Sequence, residues 1–182
     1  MMARVNGATT VSAVESISKG FGRNAYERVR DLKDMVDFRA CHSVVMVGSG
    51  AFPATLFWLH DHFPHMQYVG LDIDTRCVAM ATLLTKATGM NNIHFEVVNG
   101  SYYNFRGADF VYIANQVIPK RAVLEQISRR AGPLQVVVRE PTRKGELLAE
   151  AIRHDLPSEF AIETAGTGSQ DFLSYDLSLR LR

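Results

Sequence analysis

The stretch from Ser43 to Asp74, SVVMVGSGAFPATLFWLHDHFPHMQYVGLDID, limits what this chain can fold into more than any other. Val44 to Val47 is a short, β-branched apolar run closed by glycine, the pattern of a strand buried on both faces of a parallel sheet. Gly48-Ser49-Gly50 turns the chain, and Pro53 opens an apolar helical segment from Ala54 to Phe63. A second apolar strand, Gln67 to Leu71, ends on Asp72. Strand, glycine turn, helix and return strand with a terminal acid make a βαβ unit suited to a nucleotide. The turn lets backbone N–H groups approach a ligand, and the acid accepts hydrogen bonds from two ribose hydroxyls. An ordinary tight turn, with Asp72 capping a helix, would use the same residues.

Phe52 stands where a dinucleotide loop has its third glycine. That departure argues against a pyrophosphate ligand, and so against a dehydrogenase, and for a nucleoside without phosphates. S-adenosylmethionine fits that description.

The rest of the chain continues the alternation. Asn24 is placed as the N-cap of a helix, AYERVRDLKDMVDF, in which Tyr26, Val29, Leu32 or Lys33, and Val36 recur at helical spacing. Asp74 caps a helix that runs to Thr88 with Gly89 just past its end. Ile93 to Val98 is a third strand closed by Asn99-Gly100, and Asp109 to Ala114 a fourth with Asn115 at its carboxyl end. Pro119 starts a helix to Arg130, Leu134 to Arg139 is the fifth strand, Lys144 to His154 a helix, and Phe160 to Thr164 the sixth strand. After Gly166-Thr167-Gly168, Phe172 to Leu179 alternates as a half-buried antiparallel strand does. The expected architecture is α/β: a doubly wound, Rossmann-like sheet of seven strands, mostly parallel, ending in an antiparallel hairpin strand, similar to the methyltransferase fold. Residues 1–22 are an N-terminal extension, with a short helix over Val11 to Ser18, and residues 23–182 a single domain. In such sheets the ligand lies beyond the carboxyl ends of the strands, which gathers Gly48 to Gly50, Asp72, Asn99 and Asn115 around one cleft.

Bulk properties narrow the partners. Lysines and arginines number 20 against 19 acids, so the net charge of +1 provides no footprint for nucleic acid. No apolar run reaches membrane-spanning length and no signal peptide opens the chain, so a cytoplasmic protein without a membrane partner is expected. Cys41 and Cys77 make neither a disulfide framework nor a metal spacing and are expected as reduced, mostly buried thiols. His60 and His62 point to different faces of a helix and cannot chelate together, so with His65 they describe a wet helix end, and no metal is expected.

The loop Val44-Val45-Met46-Val47-Gly48-Ser49-Gly50-Ala51-Phe52-Pro53-Ala54-Thr55 resembles that of the nicotianamine synthases and related metallophore-making enzymes. Like them, the chain has an apolar residue, Met46, two positions before the first glycine, where ordinary methyltransferases put an acid. Leu71-Asp72-Ile73-Asp74 is similar to their Asp-Ile-Asp-Pro, Asp109 to Ala114 to their fourth strand, and Val136 to Arg139 to their fifth. Tyr26-Glu27-Arg28-Val29 falls where the family has a tyrosine-rich helix, and Asn99 stands where it has an acid for the adenine amino group. The family's helical N-terminal domain, which supplies a catalytic glutamate, has about one helix as its counterpart here.

The resemblance implies attack by the amine of a small-molecule acceptor on the aminocarboxypropyl carbon of S-adenosylmethionine, with methylthioadenosine leaving. A protonated amine has no lone pair, so a base or a depressed amine pKa is needed. Tyr26 is the candidate catalytic residue, orienting the amine or the methionyl portion, unless it only packs across the helix–sheet seam. Glu15 is the nearest upstream carboxylate that could act as base, or a solvated surface acid. The cofactor-binding candidates are Gly48, Ser49, Gly50, Asp72 for the ribose, Ile73 beside the adenine, Asn99 for the adenine edge and Asn115. Asn99 is equally a turn-former before Gly100, and Asn115 lines the acceptor side or caps the helix begun near Pro119. Tyr102 and Tyr103 wall the pocket or shield a loop, and Arg139 holds a substrate carboxylate or makes a surface ion pair. Ala114-Asn115-Gln116-Val117 lacks the Asn/Asp-Pro-Pro-aromatic signature of amino-methylating enzymes. Methyl transfer, and a non-catalytic binding module completed by a partner chain, remain the alternatives; a homodimer is possible.

Overall fold

The computed structural model describes residues 32–130, 132, 134–141, 150–165 and 174–181. Seven strands form one sheet: β1 (Ser43–Val47), β2 (Gln67–Asp72), β3 (Ile93–Val97), β4 (Phe110–Ile113), β5 (Gln135–Pro141), β6 (Phe160–Ala165) and β7 (Ser174–Leu181). Their order is β3-β2-β1-β4-β5-β7-β6. β1 to β5 run parallel, and β7 lies antiparallel between β5 and β6. The α-helices among the described residues are α1 (Leu32–Met35), α2 (Ala54–His62), α3 (Thr75–Thr88) and α4 (Lys120–Ser128).

The central strands are apolar along their whole length because both faces are covered. Val44 to Val47 and Phe110 to Ile113 are all buried. One face packs Val44, Met46, Tyr68, Phe110, Tyr112 and Val137 against α2, whose Thr55 to Leu59 are buried in succession. Leu32, Val36 and Phe38 close the same layer. The other face packs Val45, Val47, Val111, Ile113, Val136 and Val138 against Val123, Leu124 and Ile127 of α4. Those three lie on one helical stripe, and each fully buried side chain of this size contributes ~1.5–3 kcal/mol.

Register sets the place of the site. Val47 of β1 stands opposite Leu71 of β2 and Ile113 of β4, so three strands end level. Their following segments, Gly48 to Gly50, Asp72 to Asp74 and Ala114 to Ile118, therefore meet at one rim, where strand order reverses about β1.

Two expectations change. The helix expected through Phe38 ends at Met35, where Asp37 accepts the Arg39 N–H at 3.2 Å and starts a 3-10 turn, Phe38–Ala40. The helix expected to reach His154 is, in its described part, only the 3-10 turn Ile152–His154. There the buried carboxylate of Glu140 takes the Ile152 and Arg153 N–H groups at 3.0 and 3.3 Å, drawing them to a side chain. The β3–β4 crossover, where no helix was expected, carries the 3-10 turn Gly100–Tyr102. The expected helix over Val11 to Ser18, the Asn24 cap and the Gly166-Thr167-Gly168 turn lie outside the described residues. Cys41 is buried and Cys77 half-buried, both free thiols; burial, then the charges of Asp109 and Asp37, push Cys41 up to about 11.

Candidate functional site

The corner between β1 and α2 is held by backbone. Gly48 and Ser49 both donate their N–H to the Leu71 carbonyl, at 2.8 and 3.0 Å. Gly48 and Gly50 have φ of +77° and +67°, the left-handed region where a side chain is strained. A Cβ on Gly48 would stand 2.6 Å from Cγ2 of Val117, so the segment after β4 packs against this glycine. A Cβ on Gly50 would meet nothing within 4 Å, so that glycine faces open space.

Asp72 turns towards this corner. Its Oδ2 accepts the Gly50 N–H at 2.8 Å and its Oδ1 the Asp74 N–H at 2.9 Å. A carboxylate has about four acceptor positions, so two bonds leave about two for another partner. The helix-capping alternative for Asp72 falls away, because α3 is capped by Asp74, whose Oδ1 accepts the Arg76 N–H at 2.8 Å. The Arg76 guanidinium, bound to Asp74 at 2.8 Å, and that backbone hydrogen bond hold the Asp74 carboxyl down at about 2.

Above the corner lies a cleft of about 460 Å³, bounded by Gly48, Gly50, Asp72, Ile73, Asn99 and Asn115 with the apolar Val47, Leu71, Val98 and Val117. Six of the seven residues proposed for a nucleoside thus share one wall. Ile73 is 72% exposed at its rim. The seventh, Ser49, departs from the expectation: its side chain packs against Gly70, and its buried Oγ has no partner among the described residues.

Asn99 is partly the turn-former that its neighbour Gly100 suggested. Its Oδ1 accepts from the Ser101 N–H at 3.0 Å and from Ser101 Oγ at 2.9 Å, starting the 3-10 turn. The carboxamide therefore cannot present both donor and acceptor to a ligand. Asn115 does not cap α4. That helix begins after Pro119, and the Glu150 carboxylate takes the Lys120 N–H at 2.6 Å. The Asn115 Oδ1 is buried and has no partner among the described residues.

Other expectations move away from the cleft. Tyr102 is 82% exposed, and Tyr103 packs edge-on to Phe105 at 5.2 Å, so neither walls the pocket. Arg139 sits 3.6 Å from Asp176 of β7 and donates to the Tyr112 hydroxyl at 3.3 Å, which donates to Asp176 at 3.0 Å. Its carboxylate partner is thus internal. Burial foremost, then the Asp176 charge, raises the Tyr112 hydroxyl above its ordinary range. His62 stacks on Trp58 at 4.1 Å, and no metal-binding cluster of His, Cys, Asp or Glu occurs among the described residues. Tyr26 and Glu15 lie outside the described residues.

Sequence reasoning missed a buried charge cluster at the start of α4. Lys120, fully buried, bonds the Glu150 carbonyl through Nζ, and Glu140, also fully buried, pairs with Arg153 at 3.2 Å. Burial drives the Lys120 ammonium pKa down, against the opposing pull of Glu140 and Glu150. Gln116 and Ile118, also overlooked, complete the cleft wall; their position after the fourth strand was the available signal.

This sheet order and the rim at the ends of β1, β2 and β4 define the class I S-adenosylmethionine-dependent methyltransferase fold, in the form shared with nicotianamine synthase. A mutant of the nicotianamine synthase MtNAS in complex with S-adenosylmethionine superposes with a TM-score of 0.82 at 16% identity, over 98% of this chain and 71% of that one. MtNAS in complex with MTA and tNA gives 0.82 at 16% identity, over 97% and 69%. A SAM-dependent methyltransferase from Aquifex aeolicus gives 0.64 at 14% identity, over 83% and 87%. No protein-family model matches the chain, and no curated protein sequence matches it.

Proposed function

We propose that this chain is an S-adenosylmethionine-dependent transferase acting on a small molecule, and that the group transferred is aminocarboxypropyl. The observation that carries the reading is the clasp of Asp72 across the glycine corner, at the mouth of a nucleoside-sized cleft. Asp72 keeps acceptor positions for ribose hydroxyls, and Val47, Leu71, Val98 and Val117 offer an apolar seat for a base. The Asn115 Oδ1, unpartnered among the described residues, suits an ammonium or hydroxyl donor. These residues fit the group.

The sulfonium supplies an activated carbon. A neutral acceptor amine would form the new C–N bond as the C–S bond broke, the bonding pair would leave with methylthioadenosine, and the amine's proton would pass to a base, for which Glu15 is the candidate. Tyr26 is proposed to orient that amine. The apolar Met46, 6% exposed in the core, supports the synthase-like reading over ordinary methyl transfer, because no acid stands at that position. So does the closer superposition on MtNAS.

Incubation with S-adenosylmethionine and a panel of small amines, followed by product separation, tests this. Methylthioadenosine is the expected nucleoside product. Clean formation of S-adenosylhomocysteine would replace aminocarboxypropyl transfer by methyl transfer, and calorimetry showing no binding of S-adenosylmethionine would remove the transferase reading altogether.

A further inference from the structure

We propose that Asn99 recognises the base of the bound nucleoside through a ring nitrogen, N1 of adenine, and not through its exocyclic amino group. The inference rests on the adenine-nucleoside reading of the cleft and adds which edge of the base this chain selects.

The orientation of the Asn99 carboxamide is dictated by its neighbour. A backbone N–H only donates, and that of Ser101 lies 3.0 Å from the atom it meets, so that atom is the amide oxygen. Ser101 Oγ, at 2.9 Å from the same oxygen, donates to it as well. Two donors occupy the oxygen, and the NH2 group is what remains for a ligand. Asn99 is exposed and stands in the cleft wall between Val98 and Gly100. An NH2 group has two donors and no acceptor. It satisfies an unprotonated ring nitrogen and opposes an amino group, donor against donor. A purine with hydrogen on N1, as in hypoxanthine, would likewise set donor against donor and be rejected. The amide thus selects adenine by what N1 lacks.

Calorimetric titration with three nucleosides tests this: methylthioadenosine, its 1-deaza analogue, and its 6-deamino analogue. The protein is expected to lose about tenfold in affinity for the 1-deaza compound, the scale of one hydrogen bond, while binding the 6-deamino compound nearly as well as the parent. N99D keeps both Ser101 hydrogen bonds, since a carboxylate oxygen accepts as the amide oxygen does, but presents an acceptor to the ligand. In N99D the sensitivities are expected to exchange, with the 6-deamino compound losing affinity and the 1-deaza compound spared. Wild-type binding that falls with loss of the amino group, or falls equally with both changes or with neither, overturns the assignment of Asn99 while leaving the cleft a nucleoside site. Absence of binding by methylthioadenosine itself overturns the nucleoside reading, and this inference with it.

Discussion

Asp72 and Glu140 stand near the carboxyl ends of β2 and β5, and both turn a carboxylate onto backbone N–H groups. Asp72 takes those of Gly50 and Asp74. Glu140 takes those of Ile152 and Arg153 and adds the Arg153 guanidinium at 3.2 Å. The motif is shared, yet the surroundings separate them. Asp72 is half-exposed on a cleft wall with acceptor positions to spare. Glu140 is fully buried among charges, with Lys120 also fully buried nearby. A carboxylate with spare acceptors facing a cavity has positions to offer a ligand, whereas one closed in by cations has its positions taken by the scaffold. Both hold a loop in place; only the first leaves anything over.

Glu140→Gln should break the scaffold side of this comparison most severely. It removes the charge that faces Arg153 at 3.2 Å and one of the two acids that act on the fully buried Lys120, and removing one partner of a buried pair costs about 3–5 kcal/mol. Urea unfolding should show that loss. A variant as stable as wild type would mean that the cluster is not held by charge.

The glycine corner gives the next largest effect. Gly48→Ala meets both a left-handed backbone and Val117 at 2.6 Å, so about 2–4 kcal/mol should be lost. Gly50→Ala meets only the backbone term, about 1–2 kcal/mol, because its Cβ enters open space. Equal melting of the two variants would show that the loop after β4 yields to the added methyl.

Asp72→Asn sharpens the other side. Replacing a charged acceptor should weaken S-adenosylmethionine by about 1.5–3 kcal/mol in calorimetry. A variant that melts earlier but binds undiminished would make Asp72 scaffold, like Glu140.

Much of the fold was legible because its signals are local. The run Val44 to Val47, the two glycines and the acid after Leu71 each carry their own chemistry within a few residues, and β1, α2 and β2 fall close to where that chemistry places them. Gly89, in the left-handed conformation at the end of α3, is the same kind of signal. What was not legible depends on partners distant in the chain. Arg139 resembled a substrate anchor because Asp176 reaches it only once β7 inserts between β5 and β6. Lys120 gave no hint of burial, since its shelter comes from Glu140 and Glu150 beyond β5's start. Ser49 sat in the right loop, but its side chain packs, with Phe95, where Gly70 has none of its own. Asn99 fell between these cases: its turn was readable two residues away, and the loss of its acceptor to Ser101 was the part that needed coordinates.

The smallest effect concerns Asp74, two residues past Asp72, and it distinguishes capping from clasping. Its carboxyl is held at about 2, first by the Arg76 guanidinium, then by the Arg76 backbone N–H. An unfolded aspartate titrates near ~3.9, so the folded carboxyl is the stronger acid. Its contribution is therefore complete above that value and is lost as pH falls towards about 2. Asp74→Asn keeps a side-chain oxygen for the Arg76 N–H and removes only the charge. The gap in stability between wild type and this variant should be constant at neutral pH and close between about pH 4 and pH 2 in acid titrations followed by circular dichroism. A gap that persists unchanged at pH 2 would place the value of Asp74 in its cap hydrogen bond and not in its charge.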